Sequence, residues 1–280
     1  MSNQVQPPAS LEKVGSPSTQ HDLEAQNLGL LDTDGGASLR RQISVQLSAE
    51  QFERLYLQPG GAKAKGDLAK RFANPTPLGV ASFLLCLTPF SCYLMGWVGT
   101  TTGAAPALVG AMLFVGGLGL TLAGLLEWVL GNTFTSVVFI TFGGFWWSFG
   151  YLLDVTNDVA TTLGAASTDY NGGIAMYLIW WAVLVLIYLI ASLRTNVVFV
   201  ALFTFLEITF WLLVTVYLRL AKGNPNVEML LKAAGAFGFL TTIMGWWLEF
   251  ALLMECTGVP VKLPVGDLSG FLSGRRHHAD

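Results

Sequence analysis

Charge is what this sequence has least of. Only 12% of its 280 residues are Asp, Glu, Lys or Arg, while 53% are hydrophobic, whereas an ordinary soluble domain carries about a quarter charged residues. A water-soluble globule of this composition would aggregate, so that class is excluded. The charge is also unevenly spread, since Lys13, Arg40, Arg41, Arg54, Lys63, Lys65, Lys70 and Arg71 all precede residue 74. A net charge of −3 and the lack of a dense Lys/Arg patch with interleaved aromatics exclude nucleic acid as a partner. Cysteine is scarce: of three, Cys86 and Cys92 stand on different faces of one expected helix and Cys256 is distant, so no disulfide or metal framework is expected. No expected span holds a histidine, and no phosphate-cradling glycine motif occurs. Without a nucleophile and its base, a metal set or a nucleotide site, no enzymatic activity and no cofactor are expected. The first 25 residues lack the apolar stretch of a cleaved signal, which leaves insertion to the first membrane span.

Long apolar runs are what the sequence has in abundance. A run of about 20 apolar residues matches a hydrocarbon core of about 30 Å, and six runs qualify, at 78–98, 106–130, 134–153, 174–193, 197–218 and 230–254. Strands are excluded, because open sheet edges do not survive in lipid and the alternation of a membrane barrel is absent. The expectation is an all-α integral membrane protein, a six-transmembrane-helix bundle over 78–254. A disordered cytosolic tail precedes it over 1–62, a juxtamembrane segment spans 63–77, and a C-terminal tail follows over 255–280. Within the first tail, Arg40 and Arg41 before Ser44 form a spacing that basophilic kinases accept. The positive-inside rule puts both termini in the cytosol: Lys63, Lys65, Lys70, Arg71, Arg194, Lys262, Arg275 and Arg276 fall inside, against Arg219, Lys222 and Lys232 outside.

The second span carries Gly103, Gly110, Gly117, Gly124 and Gly131 at an unbroken spacing of seven, which predicts one bare helix face and close packing. Asn74, Pro75, Thr76 and Pro77 precede the first span. Both prolines suit a first helical turn and Asn74 can cap it. The same free N–H groups and the positive end of the helix dipole would also suit a carboxylate, so a rigid helix start and a ligand-facing end both stand. Pro89 is expected to kink the first span. Three acids sit in or at the ends of the apolar runs, and an ionisable group there is expensive to bury. Glu207 lies mid-span, either as a proton carrier or as an outward-leaning hydrogen-bonded acid. Glu127 and Glu249 lie near the cytosolic ends of spans two and six, level with Arg194. An Arg194 to Glu127 ion pair that pins helix ends is expected there, with gating the alternative. Phe142, Phe145, Trp146, Trp147, Phe149, Trp180 and Trp181 read mostly as aromatic belts at the membrane interface.

FANPTPLGV, Phe72 to Val80, resembles the NPAPLGL signature of the acetate uptake transporter family, also called the succinate-acetate permease family. LLEWVLGNTF (Leu125 to Phe134), FGGFWWSFG (Phe142 to Gly150), LRTNVVFVALFTFLEITF (Leu193 to Phe210), KAAGAFG (Lys232 to Gly238) and KLPVGDLSG (Lys262 to Gly270) are similar to its fungal branch, colinear from about residue 72 to 270. The resemblance implies a six-helix subunit with its own pore, assembled as a hexamer in a plasma membrane. It further implies movement of acetate and related short monocarboxylates, or succinate, with proton coupling or by channel-like passage. It places Asn74, Pro75, Pro77, Leu78 and Gly79 on the substrate pathway. The family's apolar constriction, a Phe, a Tyr and a Leu in spans one, three and five, falls on Phe83, Phe142 and Leu206. Phe142 departs from it by lacking the phenolic hydroxyl. LLCLTPFSCYLMGW after Phe83 replaces a Thr-Thr pair, and WWLEF around Glu249 replaces a Tyr-Asn pair. A non-transporting carboxylate sensor is the alternative function.

Overall fold

The structure is a computed structural model that describes residues 72–261, 263–266 and 268. The expected tail with Ser44, together with Lys63, Lys65, Lys70, Arg71, Lys262, Arg275 and Arg276, lies outside the described residues. Among the described residues, six helices are long and apolar enough to cross a membrane: α1 Thr76–Met95, α2 Thr102–Val129, α3 Thr133–Leu153, α4 Thr168–Ser192, α5 Val197–Ala221 and α6 Glu228–Cys256. A short helix, Val159–Leu163, interrupts the loop between α3 and α4. The chain is the expected all-α membrane bundle, with no strands among the described residues.

Helix ends follow capping chemistry more than apolar content. α4 starts at Thr168, ahead of its apolar run, because the Ser167 hydroxyl accepts a hydrogen bond from the Tyr170 N–H at 3.0 Å and so carries a polar first turn. Asn196 does the same for α5, accepting from the Phe199 N–H at 2.9 Å. At α1 the N-cap position is Pro75, which makes no side-chain cap bond, and Asn74, one residue earlier, accepts from the Thr76 N–H through Oδ1 at 2.9 Å in a local turn that leads into the helix. α1 continues through Pro89 as far as Met95. At the far end of the chain, Gly266 and Thr195 carbonyls accept from the Val197 and Leu268 N–H groups, at 2.8 and 3.1 Å. Trp247 Nε1 donates to the Pro264 carbonyl at 3.1 Å and Val265 is buried. Part of the expected C-terminal tail therefore folds back over the ends of α5 and α6.

Around the bundle, α4 packs on α5, α5 on α6, α6 on α1, α1 on α2 and α2 on α3. The circuit closes between α3 and α4 through side chains: the Thr141 and Tyr188 hydroxyls share a hydrogen bond of 3.0 Å, and Phe142 lies against Trp181 with ring centroids 5.5 Å apart. α2 and α3 approach at glycines. A Cβ on Gly143 would lie 2.9 Å from the Gly117 carbonyl oxygen, and one on Gly124 would lie 2.6 Å from Ile140 Cγ1. The expected single bare face on α2 does not form, for a physical reason. The helix is 3₁₀ over Thr102–Leu108 and π over Met112–Gly117, and each change of pitch shifts the register that a spacing of seven assumes. Gly110 meets nothing within 4 Å, and Gly131, at φ +85°, makes the turn into α3 instead.

Candidate functional site: an apolar lane between α1, α3 and α5

Three stripes at helical spacing face the middle of the bundle. Phe83, Leu87, Phe90 and Leu94 run along α1, Phe142, Phe145 and Phe149 along α3, and Leu206, Phe210, Leu213 and Tyr217 along α5, each recurring every three to four residues as a single helix face requires. Between them lie two cavities. The wider, about 90 Å³, occupies the half of the bundle where α1 ends and is bounded there by Leu94, Leu153 and Leu231. The narrower, about 40 Å³, occupies the half where α1 begins and is bounded by Val80, Val138, Phe139, Leu202 and Leu248. Phe83, Phe142 and Leu206 line both cavities, and no other residue does. Phe83 and Phe142 meet edge to face with ring centroids 5.3 Å apart. Phe142 is held in turn by Trp181 and by Tyr188, at 5.5 and 6.3 Å.

Most of the aromatic cluster is therefore not an interface belt. Phe142, Phe145, Trp146 and Phe149 are buried and Trp181 is half-buried, whereas Trp147 and Trp180 are exposed. The spacing of the first four puts them on the inner face of α3, where they stack on one another and on α4 and α5.

The three acids have separate surroundings. Glu127 is fully buried near the end of α2, where it accepts hydrogen bonds from the Thr76 hydroxyl and, at 2.5 Å, from Asn132 Nδ2. The expected ion pair with Arg194 does not form among the described residues: Arg194 is exposed, and the Thr76 hydroxyl and Asn132 amide donate to Glu127. Glu207 accepts from Trp211 Nε1 at 2.6 Å, one turn along α5, and its other oxygen has no partner. Glu249 is buried on α6 with an unpartnered oxygen. Neither Glu207 nor Glu249 lines either of these two cavities.

Of the residues at the start of α1, Pro75 and Gly79 are buried, Asn74 and Pro77 are half-buried and Leu78 is exposed. None of them lines either cavity. Gly79 sets the closeness of α1 to α3, since a Cβ there would lie 2.3 Å from the Phe139 ring.

Two residues of the wider cavity have unmet hydrogen-bonding groups that the sequence does not reveal. Ser91 and Trp146 line it, and Ser91 Oγ and Trp146 Nε1 are buried without a hydrogen-bond partner. Leaving such a donor unsatisfied costs about 1–3 kcal/mol each. Outside the spans, Asp154 follows Leu153 at this end, and the Thr156 N–H and hydroxyl, at 2.9 and 2.8 Å, hold its carboxyl below the usual carboxylate range.

Residues 56–270 match the GPR1/FUN34/yaaH family. The chain belongs to that family. It is 44% identical to Protein alcS of Aspergillus fumigatus over 83% of this chain and 88% of that one. It is 34% identical to Acetate permease A of Emericella nidulans, over 78% of this chain and 73% of the relative. Its fold is similar to that of the bacterial acetate channel SatP, with a TM-score of 0.57 and 26% identity, over 70% of this chain and 99% of that channel. This GPR1/FUN34/yaaH member departs from the NPAPLGL signature at residue 76. Thr76 stands where the signature has alanine, and its hydroxyl is one of the donors on Glu127.

Proposed function

We propose that this chain passes acetate and similar short monocarboxylates across a membrane through the lane between α1, α3 and α5, with Phe83, Phe142 and Leu206 as its neck. One observation carries the reading: these three residues are the shared boundary of two cavities lying in opposite halves of the bundle. Kinship with an acetate permease and with an acetate channel supplies the substrate class.

The neck offers no polar group to a permeant, so a hydrated ion has to shed its water there uncompensated. The neutral acid crosses at a much lower cost. Asp154, ionised one residue beyond the cavity-lining Leu153, adds negative charge that disfavours the anion on that side. Tyr188, whose hydroxyl is shared with Thr141, packs behind Phe142 and stiffens the neck. In this reading the chain is a multi-pass plasma-membrane protein with both termini cytosolic and is not an enzyme. The start of α1, from Asn74 to Gly79, frames the cytosolic mouth, and Glu127 holds that frame rather than gating it. Copies associate as a hexamer through outward-facing apolar surface such as Phe114, Trp128 and Trp180.

Uptake of labelled acetate by liposomes carrying the purified full chain tests the reading. Flux above that of empty vesicles is expected. After the empty-vesicle leak is subtracted, flux at fixed total acetate should climb as external pH falls toward the acid's pKa, by up to about tenfold per unit, because the neutral fraction does so. Flux that never exceeds the leak at any pH would end it.

A further inference from the structure

We propose that residues 263–266, with Leu268, form a latch: docked, it ties the start of α5 to α6 and keeps the narrower cavity shut, and undocked, it lets the two helices part. Its effect on flux rests on the function proposed above, whereas its effect on access to the narrower cavity does not.

The first N–H groups of a helix have no acceptor within that helix. At α5 the segment supplies one: the Val197 N–H donates to the Gly266 carbonyl at 2.8 Å, and just ahead of the helix the Thr195 carbonyl accepts from the Leu268 N–H at 3.1 Å. From the other side, Trp247 Nε1 of α6 donates to the Pro264 carbonyl at 3.1 Å. Between these bonds Val265, 4% exposed, joins the apolar core, and Leu263 packs against it. Gly266 is required at its place twice over. Its φ of +68° is strained for a residue with a Cβ, and that Cβ would lie 2.8 Å from Val197 Cγ2.

What the segment grips decides what it does. Phe199, Leu202, Phe203 and Leu206 of α5 and Gly245 and Leu248 of α6 line the narrower cavity, so the two helices tied together are two of its walls. None of the segment's described residues lines either cavity, which makes it a clamp on the walls and not a plug in the lane.

The hold is light. Residues 255–261, which join α6 to the segment, are all exposed and turn at Gly258, φ +69°, and Val265 is the one fully buried side chain among the segment's described residues. A few hydrogen bonds and one buried valine stand against the entropy of ordering the segment, so release lies within thermal reach. A segment that only stabilised the bundle would yield variants that lose flux as they lose stability. A latch predicts the opposite sign: loosening it raises flux, and locking it lowers flux.

The test uses the full-length chain with Cys86, Cys92 and Cys256 replaced by alanine. A Cβ on Gly266 would lie 3.1 Å from Val197 Cβ, close to the separation that a disulfide spans, so Val197→Cys with Gly266→Cys locks the latch on oxidation. Both redox states carry the same two substitutions, so strain at position 266 cancels in the comparison. Labelled-acetate uptake into liposomes should fall several-fold on oxidation and return with dithiothreitol. Gly266→Ala and Trp247→Phe, which loosen the latch, should each raise it several-fold. Independently of flux, Leu248→Cys in the same background puts one thiol on the narrower cavity, and adding Gly266→Ala should speed its modification by a small uncharged thiosulfonate several-fold in detergent-solubilised protein. Elution and melting report folding, and Trp247→Phe, which loses one hydrogen bond only, serves in both assays where Gly266→Ala does not fold. Flux that locking leaves unchanged, with equal modification rates, would overturn the latch and leave transport standing. Faster modification with no flux above empty vesicles in any variant would uphold the latch and end the transport reading. Equal modification rates and no flux would overturn both.

Discussion

Leu206→Ala is expected to raise acetate flux by about tenfold and to blunt the distinction between acetate and larger or charged solutes. Leu206 is 2% exposed and borders both cavities, so truncating it merges about 90 Å³ and about 40 Å³ of existing space through a wider opening. Water can then follow the permeant further in, which lowers the desolvation barrier. A tenfold gain corresponds to about 1.4 kcal/mol. The substitution also removes packing, at about 2–5 kcal/mol for a buried leucine. The cost should sit toward the low end, because this side chain already faces open space on two sides. Flux normalised to folded, reconstituted protein checks the expectation, and unchanged flux and selectivity would remove Leu206 from the neck. Phe142→Ala is a poorer test, because Phe142 packs against Phe83, Trp181 and Tyr188 and its loss disturbs three helices.

The second large effect is on stability. Glu127→Ala should lower the melting temperature by on the order of 10 °C, while Arg194→Ala should leave it nearly unchanged. The Thr76 hydroxyl and Asn132 amide both donate to Glu127. Removing the acid leaves each buried donor without its acceptor, at about 1–3 kcal/mol apiece, and a kcal/mol moves a domain of this size by about 2–4 °C. Glu127→Gln should fall between, since its amide keeps one acceptor oxygen but turns a second donor toward its neighbours. Thermal unfolding followed by size-exclusion fluorescence separates the cases. An equal drop in the Glu127 and Arg194 variants would restore the ion pair between them.

The six spans were legible because apolar runs of membrane length are a crude, strong signal, and the family strings located Phe83, Phe142 and Leu206. What stayed hidden was local. α4 begins at Thr168 because Ser167 caps a polar turn that hydropathy discounts. The heptad of glycines in α2 assumes a uniform pitch, and no residue pattern announced the π-helical stretch at Met112–Gly117. Phe145 and Trp146 are core rather than belt residues, a distinction the sequence hides because the same side chains serve membrane interfaces and apolar cores, and only packing tells them apart. Glu127 invites pairing with Arg194 because charge is visible in a sequence, whereas a threonine 51 positions away is not conspicuous. Ser91 is harder still. Its significance is an absent bond, and Thr209, of the same chemical kind and lining the same cavity, makes that bond to its own helix.

Blocking the neck directly tests the pathway most sharply. In a chain whose Cys86, Cys92 and Cys256 are replaced by alanine, Leu206→Cys places a single thiol at the boundary of the two cavities. Treatment with a small uncharged thiosulfonate, followed to complete modification by mass spectrometry, should bring labelled-acetate flux down to the level of empty liposomes while the cysteine-free parent keeps its flux. Full modification at position 206 with flux undiminished would show that the acid travels by another route.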